Sequence, residues 1–251
     1  GDDGTALWRG WAADARNTRF VDSPDGKAAI KSLHLKWSFT FPETGFWQGG
    51  DTPVAVANGR VYVGNPNHWM YALDARTGCA HWTFQADAAI RSGAAVEAGV
   101  VTFGDLWGNV YGLDEKTGVL EWSHLVDTQS FVRVTGSVTA EGRRVFVPVS
   151  YLQEALGLHP DRSCCTANGS AAAYDIRTGK PLWQTYMIDQ PLQYQGRTPK
   201  GAKRFGPSGA VIFTPPTLDP KRGLVYLTTG NQTTGPYVPE SDAVVAVDAK
   251  T

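Results

Sequence analysis

Short runs in which apolar and polar residues alternate recur along this chain, each bounded by Gly, Pro, Asn or Asp. Alternation with period two puts one side of an extended segment on a core and the other in water, so these runs predict β-strands. One pair of runs is repeated. Tyr71–Trp82 reads YALDARTGCAHW, Tyr111–Trp122 reads YGLDEKTGVLEW, Ala173–Trp183 reads AYDIRTGKPLW, and Ala246–Thr251 reads AVDAKT. The aligned aspartates, Asp74, Asp114, Asp175 and Asp248, stand 40, 61 and 73 residues apart. In each copy a strand ends in an Asp whose carboxylate can accept hydrogen bonds from backbone N–H groups two or three residues on. Thr-Gly follows, and Gly78, Gly118 and Gly179 can take the positive φ of a tight turn. A second strand then carries Trp82, Trp122 or Trp183, predicting a packing contact repeated from unit to unit. Repeats of several short strands at roughly 40 residues predict a β-propeller of four-stranded blades.

Thr52–Gly64 and Met70–Trp82 make the first unit, and Gly93–Gly104 with Val110–Trp122 the second. The third starts at Val134–Val149, carries an insertion at Ser150–Asn168 and ends at Trp183. After a Pro/Gly-rich stretch, Gln190–Gly209, the fourth begins FTPPTLDPKRGLVYLTTGN, and its ending is expected beyond residue 251. The tetrads ANGR, EGRR and PKRG read as hairpin turns. Residues 8–37 form a lead-in that closes on an expected strand, LHLKWSF, in which Trp37 resembles the repeated Trp. Each unit covers the apolar face of its neighbour. Residues 1–251 therefore read as a single propeller domain, the N-terminal half of a propeller of about eight blades, with a closed four-bladed propeller as the alternative.

A chain of 251 residues can bury a large all-β core, and 28 Gly with 15 Pro suit a turn-rich β protein. The net charge of −1 with no long basic run argues against nucleic acid or an anionic membrane surface as partner. No apolar run is long enough to span a bilayer. The N-terminus, GDDGTALW, has neither a basic nor an apolar leader region, as in a mature or a cytosolic chain. Three cysteines do not make a disulfide framework: Cys164 and Cys165 are adjacent, so they are either a strained ring in an oxidising compartment or two reduced thiols, and Cys79 is left over. The five histidines show no metal-ligand spacing.

The A-x-D-x-x-T-G-x-x-x-W phrase, with RVTGS at Arg133–Ser137 and DPKRGLVYLTTGN at Asp219–Asn231, resembles the pyrroloquinoline-quinone (PQQ) alcohol dehydrogenases. GDLWGNVYGLD, VPVSYLQE, SCCTANGS, FGPSGAVIFTPPTLDP and SDAVVAVD bring it closest to their polyvinyl-alcohol dehydrogenase branch. The resemblance implies a periplasmic or secreted enzyme that oxidises secondary or polymeric alcohols with PQQ and Ca²⁺ and passes electrons to a cytochrome c. PQQ carries three carboxylates and an ortho-quinone, so its site needs cations and hydroxyls at the rim and flat apolar faces above and below. By the same resemblance Arg91 contacts the quinone, Arg133 opens the RVTGS phrase beside it, and Thr135 and Ser150 bind its polar edge. Glu154, one residue beyond the ungapped position held by Gln153, and Asn231 are the expected calcium ligands. Phe213 stands where the family stacks the quinone on a Trp.

Departures from the family's pattern are also legible. Gly50 stands where the family has a Glu. Asp87–Ile90 replaces the usual adjacent Cys pair, which here is Cys164 and Cys165 in the third unit, as in the polyvinyl-alcohol branch, and the resemblance implies that this pair also contacts the cofactor. The general base, an Asp, is expected beyond Thr251, so no catalytic residue is assigned within these residues. Gly50 and Phe213 favour the alternative: a cofactor-free propeller that serves as a protein- or peptide-binding scaffold.

Overall fold

The computed structural model describes residues 8–20, 30–42 and 52–251. Gly50 lies outside them. The first blade is an antiparallel sheet of β1 (Ala55–Ala57), β2 (Arg60–Gly64), β3 (Trp69–Asp74) and β4 (Ala80–Gln85), in that order. The second repeats it with β5 (Ala95–Glu97), β6 (Val100–Gly104), β7 (Asn109–Asp114) and β8 (Leu120–Leu125). In the third, β9 (Val132–Arg133) and β10 (Thr139–Glu141) both pair with β11 (Arg144–Tyr151), followed by the short helix α1 (Gln153–Gly157), β12 (Ser170–Asp175) and β13 (Pro181–Tyr186). A hairpin of β14 (Gln193–Arg197) and β15 (Lys203–Gly206) stands apart from the blades. Short β16 (Ser208–Gly209) pairs with β19 (Gln232–Thr234), while β17 (Thr217–Asp219), β18 (Leu224–Thr228) and β20 (Val244–Asp248) form the fourth blade. The expected hairpin tetrads are turns between the first two strands of their blades, as Asn58 and Gly59 at φ 50° and 73° illustrate.

The repeated phrase works as a latch between blades. Asp74, Asp114 and Asp175 each accept the Thr hydroxyl and the backbone N–H groups two and three residues on. The Trp of the preceding unit then reaches over. Trp37, Trp82, Trp122 and Trp183 donate their indole N–H to the carbonyls of Ala75, Glu115, Ile176 and Ala249, in each case the residue after the repeated Asp of the next blade. The indoles of Trp37, Trp82 and Trp122 lie on Gly78, Gly118 and Gly179, whose φ values of 76°, 72° and 68° are the left-handed ones the turn needs. The core accordingly lies between blades: Tyr62, Met70 and Trp82 pack with Phe103 and Leu113, and Trp122 packs with Val145, Val147 and Tyr174.

Two details differ from the sequence reading. The outer strands run three residues past the Trp, to Gln85, Leu125 and Tyr186, so the Trp sits inside its strand. Leu33–Phe39 is not a strand: no partner strand lies beside it among the described residues, and Leu33 and Leu35 are exposed. With Phe41 just beyond it, the segment still delivers Trp37 and Phe39 onto Tyr71 and Leu73, so this stretch caps the first blade by side chains alone.

The latches titrate. The Thr77 and Thr117 hydroxyls hold Asp74 and Asp114 below the ordinary 3.8, and the Lys250 N–H does so for Asp248. Burial pulls Asp175 upward, but Thr178 and Arg143 outweigh it. A carboxyl with a depressed folded pKa contributes stability that is complete above its unfolded value and is lost as pH falls through the folded one. The melting temperature is therefore expected to be flat above about pH 5 and to fall below about pH 4, with Asp114→Asn removing part of that slope. Calorimetry from pH 3 to 7 checks this; a melting temperature unchanged down to pH 3 contradicts it.

Candidate functional site

The residues that lead into the innermost strand of each blade meet at one face of the molecule. Thr52 donates its hydroxyl to Ile90 O, the Gly93 N–H donates to Ser137 Oγ, and Thr139 donates to Pro216 O. Blades three and four touch so closely that a Cβ on Gly136 would lie 2.7 Å from Phe213 O, which is why the T-G-S phrase needs its glycine. Between these lead-ins is a cleft of about 200 Å³, lined by Trp11, Pro53, Arg91, Thr135, Ser137 and Phe213 among others.

Local backbone pairing explains why Thr135 faces this cleft. The chain runs antiparallel to β11 at Val132–Arg133 and again at Thr139–Glu141, but the ladder is interrupted between them. Over the gap, side chains replace backbone bonds: Thr135 Oγ1 and Ser150 Oγ are 2.8 Å apart, and Ser150 Oγ donates to Arg133 O at 3.3 Å. Ser150 is buried, so its hydroxyl acts chiefly by orienting Thr135.

Charge at the site is positive and unpaired. Arg91 is exposed and Arg133 half-buried. Neither guanidinium forms an ion pair among the described residues. Burial lowers the Arg133 pKa, Glu154 opposes this, and Arg91 lowers it further, so Arg133 lies within electrostatic reach of both Arg91 and Glu154. Keeping two cations close with no bound carboxylate is unfavourable, so the arrangement suits an anion.

Helix α1, which carries Glu154, packs beside β19, the strand that follows Asn231. Asn231 is exposed, and its amide donates to Gln232 O. Phe213 closes the circle: its ring lies over Gly230, where an added Cβ would be 3.2 Å from the ring edge. The structure thus brings Arg91, Thr135 and Phe213 into one cleft, with Ser150 bonded to Thr135 and to Arg133 O, while Glu154 and Asn231 are not among the cleft's lining residues. Cys164 and Cys165 are disulfide-bonded through a cis peptide and buried. They do not line the cleft; their sulfurs lie near Gly157 and Gln153 O.

A second cleft of about 240 Å³ lies between the Arg9–Asn17 segment and β5 and β10. Asp14, Glu97 and Glu141 line it against Arg9 alone, and Arg9 is already paired with Glu97 at 3.0 Å. A polyanion would be repelled there, so the smaller, cationic cleft is the candidate site.

The cleft lining combines one unpaired guanidinium, Arg91, with the Thr135 hydroxyl and the rings of Trp11 and Phe213. Comparisons with known proteins place the fold in a family. The family described as outer membrane protein assembly factor BamB (PQQ_2) matches residues 2–251. The chain belongs to the PQQ_2 family. Within curated proteins it is 36% identical to a polyvinylalcohol dehydrogenase of Pseudomonas sp over 253 residues, covering 97% of this chain and 39% of that one. It is 34% identical to a polyvinylalcohol dehydrogenase of Sphingopyxis sp. (strain 113P3), covering 97% of this chain and 38% of that one. The fold superimposes on the quinohemoprotein alcohol dehydrogenase of Comamonas testosteroni with a TM-score of 0.70 at 21% identity, over 90% of this chain and 35% of the other. The chain thus spans well under half the length of these relatives.

In this member of the PQQ_2 family, sequence reading missed Trp11, Pro53 and Ser137 as cleft residues. Pro53 and Ser137 each stand two residues before the inner strand of their unit, whereas Arg91, Thr135 and Phe213 stand four before theirs, and that second register along the same lead-ins was the available signal. Trp11 had none: it arrives from the lead-in, whose backbone bridges Val56, Val96 and Leu218. Gln153 was also passed over. Its carboxamide accepts the Thr166 and Ala167 N–H groups at 2.7 and 2.9 Å, clamping the insertion that holds Glu154 and the disulfide.

Proposed function

We propose that this chain forms the cofactor-binding half of a quinoprotein alcohol dehydrogenase of about eight blades, acting on secondary or polymeric alcohols in the periplasm or outside the cell. The observation that carries the reading is the cleft itself, where unpaired Arg91 and the Thr135–Ser150 hydroxyl pair stand beside Phe213. Arg91 and Arg133 would neutralise PQQ carboxylates, Thr135 would donate to one of them, and Phe213 with Trp11 would offer flat apolar faces. When bound, PQQ supplies the two-electron acceptor that alcohol oxidation requires. The named relatives, two polyvinylalcohol dehydrogenases and a quinohemoprotein alcohol dehydrogenase, support the same reaction class.

Calcium fits in part. Glu154 and Asn231 are hard oxygen donors on neighbouring elements, but among the described residues no three His, Cys, Asp or Glu converge on one point. Calcium takes six to eight oxygens, so the ion would draw further donors from PQQ, water or residues outside this chain. The general base, an Asp in this reading, and the face that meets a cytochrome c acceptor would also involve the rest of the protein.

The test uses the full-length protein with PQQ, Ca²⁺ and a dye acceptor. Dye reduction that needs both PQQ and a secondary or polymeric alcohol is expected; none with any alcohol overturns the reading. The second reading, a cofactor-free binding scaffold, is favoured by the description of the matched family. It requires that the protein ignore PQQ.

A further inference from the structure

We propose that the β14–β15 hairpin is a docking arm for an acidic electron-acceptor protein. This inference rests on the dehydrogenase reading and assigns the surface by which that enzyme would meet its acceptor. From Gln190 to Gly206 the sequence reads QPLQYQGRTPKGAKRFG, with Arg197, Lys200, Lys203 and Arg204 and no acidic residue, in a chain whose net charge is −1. The arm stands off the blades: the residues of β14 are exposed on both faces apart from half-buried Gly196.

Its cations are unneutralised and partly fixed in place. None of the four makes an ion pair among the described residues. Arg204 donates to the carbonyls of Arg162, Gly157 and His159, and Arg197 to Gly201 O at 2.6 Å. A guanidinium held by carbonyls keeps its full charge while losing its freedom to move, which suits recognition of a fixed negative surface. Exposed Tyr194, packed edge-on against Phe205, adds a rigid aromatic among the charges, the residue type that anchors protein interfaces.

The base of the arm is tied to the candidate site. Arg204 bridges Cys164, with backbone bonds Cys164 N–H to Lys203 O and Phe205 N–H to Cys164 O, both 3.0 Å. Thr234 donates its hydroxyl to Phe205 O at 2.6 Å, and β19 leads back through Asn231 to Gly230, under the Phe213 ring. An acceptor seated on the arm is therefore held at the rim where Phe213 and Asn231 lie. An uncharged secondary or polymeric alcohol would gain nothing from four cations, whereas an acidic protein gains steering that raises its association rate.

The experiment uses full-length holoenzyme, wild type and Lys200→Glu/Lys203→Glu. Both lysine side chains are exposed and make no hydrogen bond among the described residues, so the variant is expected to fold and to reduce a small neutral dye at the wild-type rate. The acceptors are a basic c-type cytochrome and the same protein made acidic by succinylation of its lysines. At low ionic strength the variant is expected to reduce the succinylated cytochrome about tenfold more slowly than wild type. That gap closes at high salt, and the basic form shows no loss. Equal rates with the succinylated form, a loss shared by the dye, or a loss confined to polymeric alcohols with dye as acceptor each overturn the docking proposal. A wild type that turns over alcohol with neither dye nor cytochrome overturns the dehydrogenase reading, and the docking arm with it.

Discussion

Trp122→Ala is expected to destabilise the protein by about 3–5 kcal/mol, the range for removing a large buried aromatic ring. The indole is only 7% exposed, donates to Ile176 O at 2.8 Å, lies on Gly179 and stacks with Tyr174. Removing it opens a cavity between two blades and leaves a buried carbonyl without its donor, so both losses fall on one contact. Trp82→Ala should behave alike, since Trp82 is 8% exposed and holds Glu115 O in the same way. Trp37→Ala and Trp183→Ala should cost less, because these rings are half-buried although their hydrogen bonds are equivalent. Chemical denaturation of the four variants gives the ranking. Equal costs across all four, or a loss under about 1 kcal/mol at Trp122, would mean that the latch is not what joins the blades.

The latch was legible because it is local. Asp, Thr and Gly within six residues satisfy one another, and a turn of that kind does not depend on distant partners. The partner of each Trp was not legible, since Trp122 and Ile176 are 54 positions apart and only the assembled blades bring them together. Leu33–Phe39 shows the opposite failure. Its alternation is that of a strand, but a strand needs a neighbour with free N–H and C=O groups, and period-two patterning cannot supply one. At the site, residue types could be matched to a ligand's chemistry before the structure, yet their convergence could not. Arg91, Thr135 and Phe213 occupy the same place in three successive units, so the repeat that built the fold also carried the cleft. Trp11, from outside the repeat, escaped that logic.

The second large effect concerns the ligand. Arg91→Ala and Arg133→Ala are each expected to weaken PQQ binding roughly ten- to a hundredfold, from loss of a charge-assisted contact of about 1.5–3 kcal/mol. Arg143→Ala is the control: Arg143 is an exposed arginine whose charge is already spent on Asp175 at 2.8 Å, so PQQ affinity should not change. Stability should respond in the reverse order. Separating Arg91 from Arg133 relieves repulsion in the empty cleft, so Arg91→Ala should melt no lower than wild type, whereas Arg143→Ala loses a latch contact. Titration by calorimetry on the full-length protein, with melting curves alongside, separates the two. If Arg143→Ala weakens PQQ as much as Arg91→Ala does, the cleft is not where the ligand sits.

The central claim is that the lead-ins of the four blades build a pocket for a flat polyanion, and a crystal of the full-length protein grown with saturating PQQ and Ca²⁺ addresses it directly. The account predicts density for the quinone in the cleft bounded by Arg91, Thr135 and Phe213. Density for PQQ at any other place, or that cleft holding only water at saturating PQQ, would contradict it.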